Sequence, residues 1–313
     1  MPTLVWLYLT ALLYYRTSSS CVALAEALQS VSHDRLTRML RGDWSGQRLL
    51  ECALRTLFTW ERGALILDAT VIPKPFATAI EGLAWVFSSQ ERRPVYGFSL
   101  VLLVWTHGTL RIPLGMRLWH KGGSSTDALA LELLSYARHR LRCRPESVLF
   151  DAWYPSKALR KRIRNAGWSV GCRRQKNRRF NGHAVRYHRR HPYGAECGWL
   201  TGGLKVLVVR YGTKDDATHR LTLTALEVRR LYQVRAHMEE VLRGCKDQRG
   251  LTGGQARSER AQRHHLACRL AAFCVLERAR HDRHVSIDQL KRQRSYRGLS
   301  VALPTLERLK RAA

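Results

Sequence analysis

The sequence predicts an α/β protein whose core follows a helical N-terminal region and is interrupted by a β-rich insertion. The first 60 residues hold runs of helix-forming residues and no strand-like run. Over residues 61–172, short apolar runs alternate with helical stretches, the pattern of a sheet with buried strands. Glycines and β-rich runs then dominate residues 173–226 before helices return.

The chain is strongly basic. It has 54 Lys and Arg against 24 Asp and Glu, a formal net charge of +30 and a pI near 10.8. Such a charge repels itself in the folded state unless an anionic partner offsets it. We therefore expect nucleic acid as the partner, with a membrane surface as the weaker alternative.

Cysteine spacing and the apolar runs bear on the compartment. The eight cysteines include no C-x-x-C pair, so we expect reduced thiols and no zinc site. The apolar run Leu4–Tyr15 has no basic region before it and no small-residue cleavage site after it. Tyr96–Trp105 is too short to span a bilayer. These features favour a cytoplasmic protein without a membrane segment.

Residues 1–60 are predicted to be all-helical. The predicted helices are Leu4–Tyr15, Cys21–Leu28, Arg35–Arg41 with Ser32 as its N-cap, and Trp44–Trp60. The second and third helices join through a tight turn, and three arginines lie on the third. This arrangement resembles a helix-turn-helix, but an ordinary helical lid explains it equally well.

Two predicted core strands end at aspartates. Ala64–Leu67 is a short apolar run followed by Asp68, and Ser147–Phe150 is a second one followed by Asp151. Asp68 either caps the turn before Pro73 or is held by a metal ion. The other predicted core elements are a hairpin of Val95–Trp105 and Leu110–Arg117, a helix over Asp127–Arg142 capped within Ser124–Thr126, a helix over Lys157–Asn165 and a strand over Trp168–Cys172.

The region from Arg173 to Leu226 is predicted to be a basic insertion with strands at Leu204–Tyr211 and Arg220–Leu226. Between Ser156 and Arg220 there are 17 Lys or Arg and three acids. A basic surface of this kind suits contact with DNA phosphates, and the candidate residues are Arg173, Arg174, Arg178 and Arg179. Trp199 either stacks on a base or packs in the insertion's own small core.

Leu231–Gly250 is predicted to be one helix closed by Gly250. At 100° per residue, one stripe about 80° wide carries Tyr232, Arg235, Glu239, Arg243 and Lys246. A surface ion pair between Glu239 and Arg243 is the simplest explanation for part of this pattern. A long helix over Gln262–Arg280 and a basic tail from Arg283 to Ala313 follow, the tail with one more helical stretch at Leu303–Lys310.

The spacing of four of these residues together is typical of a known protein family. Tyr232-x2-Arg235-x3-Glu239-x6-Lys246 resembles, at every position, the Y-(2)-R-(3)-E-(6)-K signature of bacterial insertion-sequence transposases of the DDE type. That resemblance implies a cut-and-paste enzyme with an RNase H-like (retroviral-integrase-like) α/β core and a β-rich insertion before the last catalytic helix. One departure is Ala69, because many relatives have a second Asp directly after the first catalytic one.

The resemblance also implies the site. Asp68, Asp151 and Glu239 would be the catalytic and metal-binding carboxylates. They would hold two Mg²⁺ ions, for which Mn²⁺ substitutes, with Asp151 between them, for in-line phosphoryl displacement. Tyr232, Arg235 and Lys246 would hold DNA phosphates near the cut, with a weaker DNA-binding role for Arg243.

The implied partners are the double-stranded DNA of the element ends and the target, and a second protomer in the DNA complex, with no small-molecule substrate. The expected localisation is the bacterial cytoplasm, at the nucleoid. The predicted divisions are 1–60 (helical, DNA-binding), 61–172 (core, first part), 173–226 (basic insertion), 227–282 (core, last part) and 283–313 (basic tail). The alternatives are a metal-dependent nuclease on the same fold and a basic DNA-binding protein, an inactive relic of a transposase.

Overall fold

The computed structural model describes residues 2–14, 20–60, 62–151, 156–173, 179–184, 193–201, 203–212, 214–247, 256–285, 289–290, 304 and 306–312. The helices are α1 (Thr3–Tyr14), α2 (Cys21–Leu28), α3 (His33–Arg41), α4 (Gly46–Leu57), α5 (Thr126–His139), α6 (Lys157–Asn165), α7 (Ala225–Gln233), α8 (Ala236–Asp247) and α9 (Glu259–Arg283). The strands are β1 (Ala64–Pro73), β2 (Ala84–Ser88), β3 (Arg93–His107), β4 (Leu110–Trp119), β5 (Ser147–Phe150), β6 (Ser169–Arg173), β7 (Arg179–Phe180), β8 (His183–Ala184), β9 (Tyr193–Leu200), β10 (Leu204–Tyr211) and β11 (Lys214–Thr218).

One mixed sheet organises the molecule. Its strand order is β2-β3-β1-β5-β6-β11-β10-β9-β7-β8, and β4 pairs with β3. The β1–β5 and β5–β6 pairs are parallel, whereas the other pairs are antiparallel. The predicted α/β class and the predicted order of strand, hairpin, helix, strand, helix and strand are confirmed.

The core strands are apolar because both faces of the sheet are covered. Leu65, Ile66 and Leu67 of β1 are fully buried, as are Val148 and Leu149 of β5. Burying such side chains stabilises the fold by about 1.5–3 kcal/mol each. The predicted hairpin turn is also present, with Gly108 in the left-handed conformation at φ 55° between β3 and β4.

The insertion continues this same sheet. β11 pairs with β6 in antiparallel register, with Ala217 opposite Cys172, and β10 and β9 follow. The strand predicted at Arg220–Leu226 is wrong, because the strand lies earlier, at β11, and α7 begins at Ala225. A capping box explains this start, since the hydroxyl of Thr224 accepts from the amide of Glu227 and the Glu227 carboxylate accepts from the amide of Thr224.

The N-terminal helices share one hydrophobic core with the sheet and α9. The Tyr8 hydroxyl lies 2.7 Å from Nδ1 of His265, and Nδ1 of His264 lies 2.8 Å from the carbonyl oxygen of Leu40. Gly46 permits close contact, because a Cβ there would lie 2.8 Å from the Cβ of Ala267. α1, α3 and α4 therefore pack directly on α9.

Serines cap several helices as the sequence predicted. Ser32 caps α3 and Ser125 caps α5, each accepting a hydrogen bond from a backbone amide in the first turn. The apolar residues predicted to be buried in α9, from Leu266 to Leu276, are buried. In the described part of the C-terminal tail, residues 306–312 are helical. Among the described residues, no helix combines the length and the apolar character needed to cross a membrane.

Candidate active site

The parallel pairing of β1 and β5 places two aspartates side by side. Leu67 is in register with Phe150, the last residue of β5, and the next residues are Asp68 and Asp151. Both follow a paired position on neighbouring strands, so their side chains point to the same side of the sheet. This is the adjacency that the two predicted strands implied.

Asp68 does not end its strand, contrary to prediction. β1 continues to Pro73, because β3 still pairs with it beyond the last residue of β5, with Asp68 opposite Leu102. Asp68 therefore lies inside a sheet, with a side chain only 16% exposed. Its Oδ1 accepts a hydrogen bond of 2.9 Å from the amide of Ala69. The alternative that it caps the turn before Pro73 does not agree with this position.

A single guanidinium binds all three predicted catalytic carboxylates. Nη2 of Arg235 lies 2.7 Å from Oδ2 of Asp68 and 3.7 Å from Oδ2 of Asp151. Nη1 of Arg235 lies 3.9 Å from Oε1 of Glu239. The Arg235 side chain is 15% exposed, so these contacts form in a largely dehydrated place where charges interact more strongly than in water.

The helix that carries the signature is broken, which the sequence did not predict. α7 ends at Gln233 and α8 begins at Ala236, with Val234 and Arg235 in a turn between them. The backbone amide of Arg235 bonds the carbonyl of Tyr232, a tighter i, i−3 bond. The predicted end of this helix at Gly250 lies outside the described residues.

The two helices pack on partly different neighbours. α7 buries Val228 against Leu207 and Val209 of the insertion strand β10. α8 buries Met238 and Val241 in the main core, beside β1, β4 and α9. The break places the backbone of Arg235 in a turn, while Tyr232, whose hydroxyl pKa is raised by burial, stays close enough to Arg235 and Asp151 for their charges to act on that pKa.

Glu239 is the most exposed of the three carboxylates, with a side chain 67% exposed. Its ion pair is with Arg235, one turn before it on the chain. In the described part of the chain, Glu239 makes no ion pair with Arg243, which is exposed on α8, so the simple surface pair is wrong. Lys246 belongs to α8, but its side chain lies outside the described part.

Tyr232 is buried, at 6% exposure, beneath Arg173. The Arg173 guanidinium lies 4.6 Å from the centre of the Tyr232 ring, and its Nε lies 3.2 Å from Oδ1 of Asp216. Within the described residues the Tyr232 hydroxyl has no hydrogen-bond partner. Sequence alone did not indicate this cluster, because it depends on the pairing of β6 with β11.

Burial is the main cause of the shifted pKa values of two aspartates near the site. Dehydration raises the pKa of Asp68 to about 6, while the Arg235 guanidinium and the Ala69 amide oppose that rise and the nearby Asp151 and Glu239 carboxylates add to it. Burial likewise raises the pKa of Asp216, which Arg173 partly offsets. The Asp68 carboxyl is therefore only partly compensated by its cation.

The donor set suits a divalent metal, because carboxylate oxygens are the ligands that Mg²⁺ prefers and three of them already surround one cation. Among the described residues, no three His, Cys, Asp or Glu side chains lie ready to hold a metal ion together. The chemistry of Asp68, Asp151 and Glu239 thus fits a metal site, but the Arg235 guanidinium lies between them.

The insertion presents only part of the predicted DNA surface. Arg179 is exposed on β7, while Arg174 and Arg178 lie outside the described residues. Trp199 on β9 is 55% exposed. The buried residues of this part of the insertion are Phe180 and Leu200, so Trp199 does not belong to the insertion's core.

Comparison with known proteins agrees with this geometry. The sequence model of a protein family described as "Transposase DDE domain" matches residues 59–275. No curated protein sequence matches the chain.

Solved structures give a likeness in fold. The piggyBac transposase synaptic complex with hairpin DNA is similar at a TM-score of 0.60 and 12% identity, over 98% of this chain and 71% of that chain. At this identity the likeness concerns the fold alone, a mixed sheet like that of transposase RNase H-like cores. The Mos1 strand transfer complex matches at 22% identity over 48% of this chain and 52% of that chain, with a TM-score of 0.21, too low to add to the argument.

Proposed function

We propose, because the chain belongs to the transposase DDE domain family, that it cleaves DNA at the ends of a mobile element and joins those ends to a target. In this proposal Asp68, Asp151 and Glu239 are the catalytic carboxylates. A protein that cuts and joins bacterial DNA works at the nucleoid, in the cytoplasm. A nuclease on the same fold would make the same cuts without joining.

The observation that supports this proposal is the meeting of three carboxylates on one cation. A binding protein gains nothing from packing acids together on a DNA-facing surface, because they repel both one another and the phosphates. Here two of the acids follow paired positions of β1 and β5, and the third reaches them from α8. A cluster of this kind is expected where divalent cations are to be held.

The three carboxylates would hold Mg²⁺ or Mn²⁺, which, when bound, would activate a water or a DNA 3′-hydroxyl and stabilise the leaving oxygen. The chain's own residues prepare that place. Dehydration of Asp68 makes its charge costly without a cation nearby. Arg235 supplies that cation before a metal binds, and we propose that it then turns to a DNA phosphate.

Double-stranded DNA is the proposed substrate, in a complex of two protomers. The net charge of +30 supports contact with phosphates, and the piggyBac structure of similar fold is a complex with DNA. Arg243 and Arg179 are exposed and suitable for this contact. Lys246, Arg174 and Arg178 are proposed from the sequence. Tyr232 is buried under Arg173, so we propose that it orients that guanidinium and does not itself bind phosphate.

The test is an excision assay on a plasmid that carries the mobile element encoding this chain, with both ends. Glu239→Gln, Asp68→Asn and Asp151→Asn should each abolish cleavage in Mg²⁺ or Mn²⁺ while DNA binding, measured by gel shift, stays close to that of the wild type. Cleavage by any of the three variants at the wild-type rate would exclude that residue from the site.

A matched control lies next to Glu239. Glu240 is an acid on the same helix, and its carboxylate pairs with Arg111 at 2.6 Å, away from the three-carboxylate cluster. Glu240→Gln should keep cleavage. Cut ends that accumulate without joining to a target plasmid would favour the nuclease alternative.

A further inference from the structure

Exposed aromatic side chains lie on the ribbon formed by β2 and the start of β3 and in the turn between β1 and β2, where Phe76 lies. Phe76, Trp85 and Phe87 are 95%, 73% and 62% exposed. We refer to these three side chains, together with Pro94 and Tyr96, as the aromatic edge. Single exposed apolar residues are ordinary, whereas several together mark an interaction site.

In β2 the alternation of buried and exposed residues is the reverse of the usual one, in which the large apolar side chains are buried. The small residues Ala84 and Ser88 are buried, and the large residues Trp85 and Phe87 face outward. Across the ribbon, Trp85 is opposite Tyr96, with ring centres 5.7 Å apart. The outer face is therefore a continuous apolar surface.

A cavity of about 310 Å³ opens on the same face. Its walls are mostly apolar (Pro73, Pro75, Trp85, Pro94, Val95 and Tyr96), and the ion pair of Arg93 with Glu91 lines one part of it. The proline and aromatic rings of the walls are rigid, so the walls lose little conformational freedom when an apolar side chain enters the cavity. The cavity is suited to an apolar side chain of a partner.

The strand itself is also open. β2 is the terminal strand of the sheet order, pairing with β3 on one side, and residues 62–151, all of which the structure describes, supply no second neighbour. Proteins protect such edges with charges, prolines or a covering element. The β2 sequence AWVFS holds neither a charge nor a proline. An edge of this composition is expected to be covered.

Charge selects the partner. Residues 72–96, which include the whole aromatic edge, hold three cations (Lys74, which is 9% exposed, Arg92 and Arg93) and two acids (Glu81 and Glu91), although the chain as a whole carries +30. The nearest exposed cations are at the ribbon tip, where Arg93 pairs with Glu91 at 2.8 Å. A DNA surface needs free cations. A near-neutral face is instead where two copies of a strongly basic chain can approach without repulsion.

The three exposed rings supply about half of the area that a stable interface buries on each partner. At ~200 Å² for each aromatic side chain, the three rings expose about 400–500 Å², and a stable interface buries about 800 Å² on each partner. The prolines, Tyr96 and the open strand edge add to the rings.

We propose that the aromatic edge joins two copies of this chain before DNA binds, with β2 of one copy against β2 of the other about a two-fold axis. Such an interface uses the same surface on both copies. The proposal does not depend on the assignment of the catalytic carboxylates, because its test uses neither metal nor DNA.

The experiment is sedimentation equilibrium of the DNA-free chain over a concentration series in high salt. The wild type should be a dimer, and Trp85→Ser with Phe87→Ser should raise the dimer dissociation constant by at least about 30-fold, the effect of losing one central aromatic contact. The matched control is Trp199→Ser, a tryptophan of similar exposure on the insertion, which should leave the dissociation constant unchanged.

Thermal melting at concentrations where the chain is monomeric checks folding. If the double variant melts at a lower temperature than the wild type, the dimer dissociation constant of Phe76→Ser is measured instead. The Phe76 side chain is 95% exposed and contributes almost nothing to the fold of one copy. A wild type that stays monomeric, or a double variant that dimerises like the wild type, overturns the proposal. If the wild type is monomeric and the double variant loses DNA affinity, the aromatic edge binds nucleic acid. That result also overturns the proposal of a dimer.

Discussion

Arg235 and Asp68 form an ion pair of 2.7 Å across 167 residues of chain. The same guanidinium contacts Asp151 and Glu239. A positive charge therefore already lies among the three carboxylates that we propose to hold divalent cations. The acids are assembled before any metal arrives, and Arg235 offsets the repulsion that would otherwise push them apart.

Arg235→Ala should destabilise the metal-free chain by up to about 3 kcal/mol, because it leaves the dehydrated Asp68 carboxylate without its cation. Mn²⁺ should then stabilise the variant more than the wild type, since the metal no longer competes with a guanidinium; at 100 times the dissociation constant a bound ion adds about 2.7 kcal/mol. Chemical denaturation with and without MnCl₂ measures both effects.

Arg243→Ala is the control for this experiment, as an exposed arginine on α8. It should change neither the stability nor the response to Mn²⁺. Equal stabilisation of the wild type and Arg235→Ala by the metal would mean that the guanidinium does not occupy the metal's place.

Stability should fall with pH through the titration of Asp68. Its pKa is raised from 3.8 to about 6 in the folded chain. The folded state thus holds a proton that the unfolded state releases, so stability is lost as pH rises from about 4 to about 6. The loss is about 3 kcal/mol at 1.36 kcal/mol per pKa unit.

Asp68→Asn removes this dependence. Relative to the wild type, the variant should gain about 3 kcal/mol more stability at pH 7 than at pH 4, measured by urea denaturation in the absence of metal. Asp34→Asn, which changes a 73% exposed acid on α3, should show no such difference. A pH-independent effect of Asp68→Asn would contradict the raised pKa.

Arg179→Gln should reduce the salt dependence of DNA binding. Each phosphate contact contributes about 0.9 to the slope of log K against log salt concentration, so the loss of one contact lowers the slope by about that amount. Fluorescence anisotropy with a labelled duplex over a salt series gives the slope. Arg93→Gln, an arginine 72% exposed on the β2–β3 ribbon, should leave it unchanged. If the Arg179 slope also stays the same, the DNA path lies elsewhere.

Much of the fold was predictable because its signals are local. Short apolar runs ending at Asp68 and Asp151 identify buried strands, and Ser32 and Ser125 identify helix starts. The start of α7 was equally predictable, since Thr224, inside the segment predicted as a strand, and Glu227, directly after that segment, have the spacing of a capping box.

The break before α8 was not predictable from local pattern. No glycine or proline lies between Leu231 and Arg243, so the local pattern predicts one helix; Val228 packs on the insertion and Met238 on the core, contacts between residues distant in sequence. The partners of Arg235 were missed for the same reason. Its spacing relates it to Glu239, but its shortest contact is to an aspartate on a distant strand.

The unbroken hydrogen-bonded ladder from β1 through β5, β6 and β11 to β9 has a mechanical consequence. The strands of the insertion form one continuous plate with β1, which carries Asp68, and β5, which Asp151 follows, so we expect a force on the insertion to reach both aspartates together. Glu239 is outside that plate, on a helix entered through the two-residue break at Val234 and Arg235. We therefore expect this centre to open and close by displacement of α8 against the sheet, with that break as the pivot.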